Sequence, residues 1–497
     1  MKTIVMAGFA ALLGMLPPCL LSANDLDGGV NELDGGVPND AEAAEVENAE
    51  AVEPEQNADK NDWGEDDEWG EDDEWGEEEG WGDGTETTSG STAPSESTVT
   101  LHGVFENQLQ GMWLRKDGGA ESDALVNDYT KLRVELGATL AGDVTLKADG
   151  VGRVYAGDTE ISLDRLLPKG TRDAMVEQNP LWSPFFEETY TYENEYYINN
   201  AYLKLPVEKV VLFIGKQPLE QGVGYVWNPT DVFTDKEMFD PTYEKPGVIA
   251  LRAKAALGEH VGLELIGVPV DDFERWIGGG RGSVLAGPLR LSAAAYVTNI
   301  ETRDLENSMD AMMQMALRGE NPEAGVATHR GRRTMVGGEA ILDIEGVRLW
   351  AEGAYNFIED KAGLPDDYFE VVGGGEYFFA TETHVMAEFL HYGKGPKQRS
   401  GRYGLNDWMA LLDGDLKMLG RDFLFESIDH PVADFWTLGL SSFQSISDAS
   451  ATVMGDAKWQ FEEDAELWFL LSYALGDRDD YLSSARGQAW LRLTAYF

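Results

Sequence analysis

From Val99 onward apolar residues occupy every second position in one stretch after another, and no other feature of the chain limits its fold so tightly. Leu132, Val134, Leu136, Ala138 and Leu140 alternate with Lys131, Arg133, Glu135, Gly137 and Thr139. After the turn Ala141-Gly142-Asp143, Val144, Leu146 and Ala148 alternate with Thr145, Lys147 and Asp149. Ile249, Leu251, Ala253 and Ala255 alternate with Arg252 and Lys254, and Leu349, Ala351, Gly353, Tyr355 and Phe357 with Arg348, Trp350, Glu352 and Asn356. A period of two turns successive side chains to opposite sides of a strand, so each segment reads as a strand with one oily and one charged face.

A soluble sandwich alternates in the same way, and connection lengths separate it from a membrane barrel. Short turns fall at Ala141 to Asp143, Pro206 to Glu208, Gly258 to His260, Gly287-Pro288, Glu345-Gly346 and Ala380 to Glu382. Much longer connections run from Gly157 to Glu193, Gln217 to Pro246, Glu301 to Arg330 and from Gly393 onward. Short turns at one end and long loops at the other are the asymmetry of an outer-membrane barrel. The last residues alternate too, with Ala489, Leu491, Leu493, Ala495 and Phe497 on one face and Trp490, Arg492, Thr494 and Tyr496 on the other. This segment resembles the terminal strand of bacterial outer-membrane barrels. The resemblance implies that Leu491, Leu493 and Phe497 form the signal read by the assembly machinery, and that this strand closes on a first strand near Val99 to Trp113.

Thirteen strands are countable up to His391, and four more at Phe435 to Phe443, Ala451 to Phe461, Ala465 to Leu475 and Gly487 to Phe497. With both ends of the barrel on the periplasmic side the number must be even. An extra strand around Leu416 to Glu426, turning at Asp429-His430-Pro431, makes eighteen; merging a weak pairing makes sixteen. The expected class is an all-β, transmembrane antiparallel barrel over residues 99–497, of eighteen strands with sixteen as the alternative.

Ahead of it, Lys2, an apolar run from Ile4 to Leu16, Pro17-Pro18 and Leu21-Ser22-Ala23 read as a secretory signal peptide over residues 1–23. Cys19 is the one cysteine, so disulfides, Cys-ligated metals and iron–sulfur clusters are not expected in the mature chain. The chain carries 38 Lys and Arg against 90 Asp and Glu, an imbalance that argues against nucleic acid as a partner. About half of the excess lies in residues 24–98, where 27 acidic residues face Lys60 alone. There Trp63, Trp69, Trp75 and Trp81 recur every six residues, each followed by glycine and set among Glu and Asp. Such a segment buries too little apolar area to offset chain entropy and charge repulsion, so a disordered periplasmic tether is expected. It is either a solvated spacer or an aromatic array for docking a periplasmic protein.

Six histidines lack ligand spacing, and no nucleophile elbow or phosphate loop occurs, so neither an enzyme, a metal site nor a cofactor is expected. The segment Gly215-Lys216-Gln217-Pro218, followed by Gly222 to Phe233 with Trp227-Asn228-Pro229-Thr230-Asp231, resembles porin-like families near the alginate exporters. Asn228-Pro229 starts a turn and Asp231 is placed to accept backbone N–H bonds, so Trp227, Asn228 and Asp231 are candidates for a fixed loop that narrows a lumen. Charges facing lipid cost about 2–4 kcal/mol each near the midplane. Arg133, Glu135, Lys147, Asp149, Arg153, Arg252, Lys254, Arg348, Glu352 and Arg492 are therefore assigned to the lumen. The reading is a porin or export channel in the outer-membrane lipid, for small solutes or an anionic polysaccharide. The alternative is a non-conducting barrel that anchors or sleeves a periplasmic or electron-transfer complex.

Overall fold

The computed structural model describes residues 98–497 apart from 116–121, 141–142, 163–164, 166, 179, 181–182, 187–188, 235–245, 271–274, 319–321, 400, 413, 478 and 484. The expected signal peptide lies outside the described residues, as does the tether except for its last residue, Thr98. Eighteen antiparallel strands form one sheet, in chain order: β1 (Thr98–Arg115), β2 (Ser122–Thr139), β3 (Thr145–Gly157), β4 (Glu195–Val207), β5 (Val210–Gln217), β6 (Val248–Ala256), β7 (Val261–Val270), β8 (Arg275–Ala286) and β9 (Leu289–Asp304). They continue with β10 (Ala327–Ile344), β11 (Val347–Ile358), β12 (Tyr368–Phe378), β13 (His384–Tyr392), β14 (Asp422–Ala433), β15 (Trp436–Ser445), β16 (Ser450–Glu462), β17 (Ala465–Leu475) and β18 (Ala485–Tyr496). Each pairs with its neighbour in sequence, and β1 also pairs with β18, from Val104 opposite Tyr496 to Leu114 opposite Ala485. The sheet is thus closed and has no free edge, which is the one way for strands to cross lipid with every backbone group paired.

The alternation read from the sequence becomes the two sides of this wall. Leu101 is 66% exposed and Leu265 64%, both on the outward face, where an apolar surface suits lipid and not water. Trp436 and Trp459 stack with centroids 5.4 Å apart near the short-turn end, with Phe435 and Phe461 exposed beside them, the amphipathic girdle expected at a membrane interface. Among the described residues the chain reversals at that end are tight. Glu345 and Gly346 take φ of 49° and 82°, so β10 and β11 join through a two-residue hairpin whose backbone twist matches the strands.

Two details depart from the sequence reading. The strand after His391 begins at Asp422 and not near Leu416, and it runs through Asp429-His430-Pro431 to turn at Asp434-Phe435. Pro431 is accommodated because the β14–β15 register slips between Pro431 and Ala433, where a missing N–H is tolerated. The opposite end is also less uniform than expected, since β7–β8 and β15–β16 join there through only four residues each.

The remaining long connections fold inward. In the helix Leu405–Leu412, Leu405, Trp408 and Met409 recur at three- and four-residue spacing and are buried, while the Asp407 carboxylate accepts the Gly404 N–H at 2.8 Å. The loops are tied to one another: Gly170 N–H donates to Asp479 Oδ1 at 2.8 Å, Arg402 Nη1 to the Gly170 carbonyl at 3.0 Å, and Gln398 Nε2 to Asp480 Oδ1 at 3.1 Å. The ladders that close the barrel, β1 with β2 and β1 with β18, run between residues from Thr98 onward. Deleting Asn24 to Ser95 should therefore leave a heat-modifiable barrel at normal abundance in the outer membrane. Loss of insertion in a fractionation assay would make the tether an assembly element.

Candidate functional site

The connection from β5 to β6 enters the barrel and lies along the inner wall as a finger with Trp227 near its tip. Leu219 packs in an apolar cluster with Ala250, Ile266, Tyr296, Met335 and Ala354 from β6, β7, β9, β10 and β11. Farther on, Gln221 Nε2 donates to Glu264 Oε2 at 3.1 Å and Tyr296 OH donates to Gln221 Oε1 at 3.1 Å. Val223 N–H and Thr230 N–H reach the two oxygens of Glu352 at 2.8 and 2.5 Å. The next three amides all point at Glu388: Tyr225 at 2.6 Å, Val226 at 2.9 Å and Trp227 at 2.9 Å. Trp350 Nε1 adds a fourth donor to Glu388 at 2.6 Å, and Thr230 Oγ1 donates to Glu339 at 2.8 Å.

The finger is held by carboxylates of the wall acting on its backbone. Among the described residues neither Glu352 nor Glu388 has a cationic partner, and both are buried. Converging N–H groups compensate a buried carboxylate much as a backbone nest binds an anion. Gly222, at φ +98°, makes the bend possible; a Cβ there would lie 2.7 Å from Asn228 and 2.8 Å from Glu352 Oε2. Asp231 closes the other limb by accepting the Phe233 and Thr234 N–H groups at 3.1 Å each, and Asp231 N–H bonds the Asn228 carbonyl. At the tip, the Trp227 ring sits 5.6 Å from Phe443 and 6.4 Å from Phe423. Burial, with Asp429, Glu376 and Glu388 nearby, pushes the Tyr225 phenol up to about 12, so the tip stays uncharged there.

All ten residues assigned to the lumen from sequence occupy inward positions of their strands. Arg133 Nε bonds Asp149 Oδ2 at 2.9 Å and lies 2.9 Å from Glu135 Oε1; Arg153 approaches Glu195 at 3.6 Å; Arg252 pairs with Glu264. Arg348, at the short-turn rim, lies 2.9 Å from Asp343 and 3.3 Å from Glu376. Arg492, 1% exposed, donates to Gln108 Oε1 at 2.7 Å and lies over Trp490 and Trp468 with ring distances of 4.3 and 5.4 Å. Lys147 and Lys254 face the lumen near the short turns. Leu491, Leu493 and Phe497 face outward.

The charge of the inner wall is unevenly shared. The inward positions of β4–β9 hold Lys204, Arg252, Lys254, Arg275, Arg281 and Arg290 against Glu195, Glu264 and Asp304. Those of β10–β17 hold Glu339, Asp343, Glu352, Glu370, Glu376, Glu388, Asp429, Asp456 and Glu466 against Arg333, Arg348 and Lys458. Only Arg252 and Lys254 of the sequence-derived lumen set lie on β4–β9, and only Arg348 and Glu352 on β10–β17. Of the three carboxylates that anchor the finger across β10–β13, Glu339 and Glu388 went unnoticed, though Glu388 stands at an alternating position between Met386 and Leu390. The finger lies over the middle of the acidic half, which leaves the wall of β16–β18 and β1–β4 facing it across the lumen.

No protein-family model matches the chain, and no curated protein matches it. Among solved structures, OmpF of Salmonella typhi in complex with daunomycin is 15% identical at TM-score 0.38, covering 80% of this chain and 97% of that one. A Rhodopseudomonas blastica porin triple mutant is 12% identical at TM-score 0.38, with 80% and 100% covered. OccAB4 of Acinetobacter baumannii is 10% identical at TM-score 0.44, with 81% and 98% covered. At these values the likeness is one of general form; strand number and closure follow from the register of this chain itself.

Proposed function

We propose that the protein is a non-enzymatic outer-membrane channel that passes small solutes, anions in preference to cations, between the finger and the wall of β16–β18 and β1–β4. The observation that carries this reading is the finger itself: a loop drawn into the barrel and fastened at seven of its own donors by Glu339, Glu352 and Glu388. A barrel serving only as an anchor has no use for a fixed constriction, whereas a channel selects at one. Short turns and the N-terminal side face the periplasm in this reading, and the long loops face outward. Lys131, Arg133, Arg153 and Arg492 stand at inward, largely buried positions of that wall beside Glu106, Glu135 and Asp149, which leaves a modest cationic excess. The resemblance of Gly215 to Phe233 to the alginate-exporter-like barrels adds anionic oligosaccharides as a second solute class.

The purified chain should give discrete ohmic conductance in planar bilayers and an anion-selective reversal potential in a salt gradient. Lys131→Gln with Arg153→Gln should move that potential toward cation preference at unchanged barrel yield. Insertion without any current would overturn the channel and favour the anchor or sleeve.

A further inference from the structure

Two charges in the middle of the wall point away from the lumen. Lys216 on β5 pairs in register with Ile249 of β6 and shares its face with Ile214, both exposed on the outside. Glu426 on β14 shares its face with Ile428, whose register partner is Leu440 of β15, and all three are exposed there. Lys216 stands six positions from Val210 and Glu426 seven from Ala433, each counted from the short-turn end of its strand. For strands tilted by about 40° both lie roughly 15–18 Å above the turns, near the middle of an apolar band about 25 Å tall. Among the described residues no other lysine or arginine faces outward at that depth. Asp128 on β2 also faces outward, but eleven positions from Thr139 and toward the long loops, where the Asn107 amide donates to it at 3.1 Å.

Within the chain each of the two has only a neutral partner. Lys216 Nζ donates to the Ile198 carbonyl at 2.9 Å, and Glu426 Oε2 accepts from Gln444 Nε2 at 2.9 Å; neither has an oppositely charged partner among the described residues. A charge held against lipid near the midplane is costly, and such groups are as a rule found paired with one another. These two do not meet in one barrel, because β5 and β14 are nine strands apart in a closed sheet of eighteen, half a turn around the wall. They meet between barrels. All copies insert in the same direction, so a sideways shift brings the Lys216 face of one against the Glu426 face of the next at matching depth. Ala387 and Ser442 beside Glu426 and Ala201 beside Lys216 are small, which lets the two walls approach closely. In water the dehydration of an ion pair offsets its attraction, whereas here both charges have already left water, so the attraction comes at little further cost.

We propose that the outer faces of β5 and β14 form a head-to-tail interface between copies of this chain, Lys216 of one barrel pairing with Glu426 of the next. A contact between opposite faces does not close into a ring, so it repeats and sets the barrels in rows in the plane of the membrane. The interface needs the closed register and the lipid setting of the barrel, and is independent of whether the lumen conducts.

Thiols placed beside the two charges report the contact without removing them. Ala201→Cys and Ser442→Cys are combined in the full chain, and isolated outer membranes are treated with a short bismaleimide. The pair should give a ladder of dimers, trimers and longer species on denaturing gels, while either single variant should stay largely monomeric. Adding Lys216→Glu to the pair should cut cross-linking several-fold, and adding Glu426→Lys to that chain should restore it. Heat modifiability shows whether each barrel has formed, and recovery in the exchanged pair separates a lost contact from a misfolded wall. No cross-linking in a well-assembled double-cysteine chain overturns the interface. Cross-linking indifferent to the charge reversal overturns it as well, since it would report crowding alone. A product that stops at the dimer, or that either single variant gives equally well, overturns the head-to-tail row in favour of a two-fold contact.

Discussion

Replacing Glu352 and Glu388 together by alanine should raise single-channel conductance by about twofold or more and make it noisy, since a constriction sets the resistance of a pore. Six backbone amides and one indole N–H now end on these two carboxylates. A buried amide left unpaired costs about 1–3 kcal/mol, which the finger avoids by swinging into the water of the lumen. The barrel ladder does not use these side chains, so heat modifiability and abundance should hold. Glu352→Gln alone keeps one acceptor and should fall between the two. Unchanged conductance in the double variant would mean that the apolar contacts of Leu219 and Trp227 hold the finger unaided.

The barrel was legible because lipid on one side and water on the other enforce alternation wherever both faces meet their own solvent. That held from β1 to β11. It failed at β14, where the inward positions run Phe423, Phe425, Ser427 and Asp429 and the outward ones Leu424, Glu426 and Ile428, so each face mixes apolar and polar residues and the period is lost. The reason lies in the loops: Trp227, Tyr403, Leu405, Trp408, Met418 and Leu419 pack into the lumen against Phe423 and Phe443. Parity demanded an eighteenth strand, but only its packing explains why the strand begins at Asp422.

The finger was half legible. Asn228-Pro229 and Asp231 announce a fixed turn through local hydrogen bonding, which depends on neighbours in sequence. What fastens the loop lies more than a hundred residues away: Glu388 is 163 positions from Tyr225 and Glu352 122 from Thr230. A lone Glu in an apolar strand carries no mark of its acceptor role. The uneven charge of the wall was hidden for a related reason, because strands with mixed inward faces such as β13 gave no charged stripe to sample.

The closing strand makes the strongest claim about which side chains face where. Phe497 N–H donates to the Gly103 carbonyl at 2.9 Å and Gly103 N–H to the Phe497 carbonyl at 2.7 Å, and the Phe497 ring lies over Gly103 on the outer face. Phe497→Ala removes that ring from the junction of β18 with β1 and should lower outer-membrane abundance several-fold, the aromatic being both a girdle residue and a part of the closing contact. Arg492, five positions earlier, is on the other face. Its loss leaves Glu106 with Lys131 at 3.8 Å and with the Tyr129 hydroxyl, so no buried carboxylate is stranded and assembly should be spared. Arg492→Ala should instead shift the reversal potential in a salt gradient toward cations, because a lumen cation disappears while its acidic neighbour remains. If Arg492→Ala blocks insertion and Phe497→Ala assembles at normal levels, the inward and outward faces of β18 are exchanged. Every lumen residue placed by register from β18 would then lie against lipid, where its charge would cost about 2–4 kcal/mol near the midplane, and the channel path would have to be drawn elsewhere.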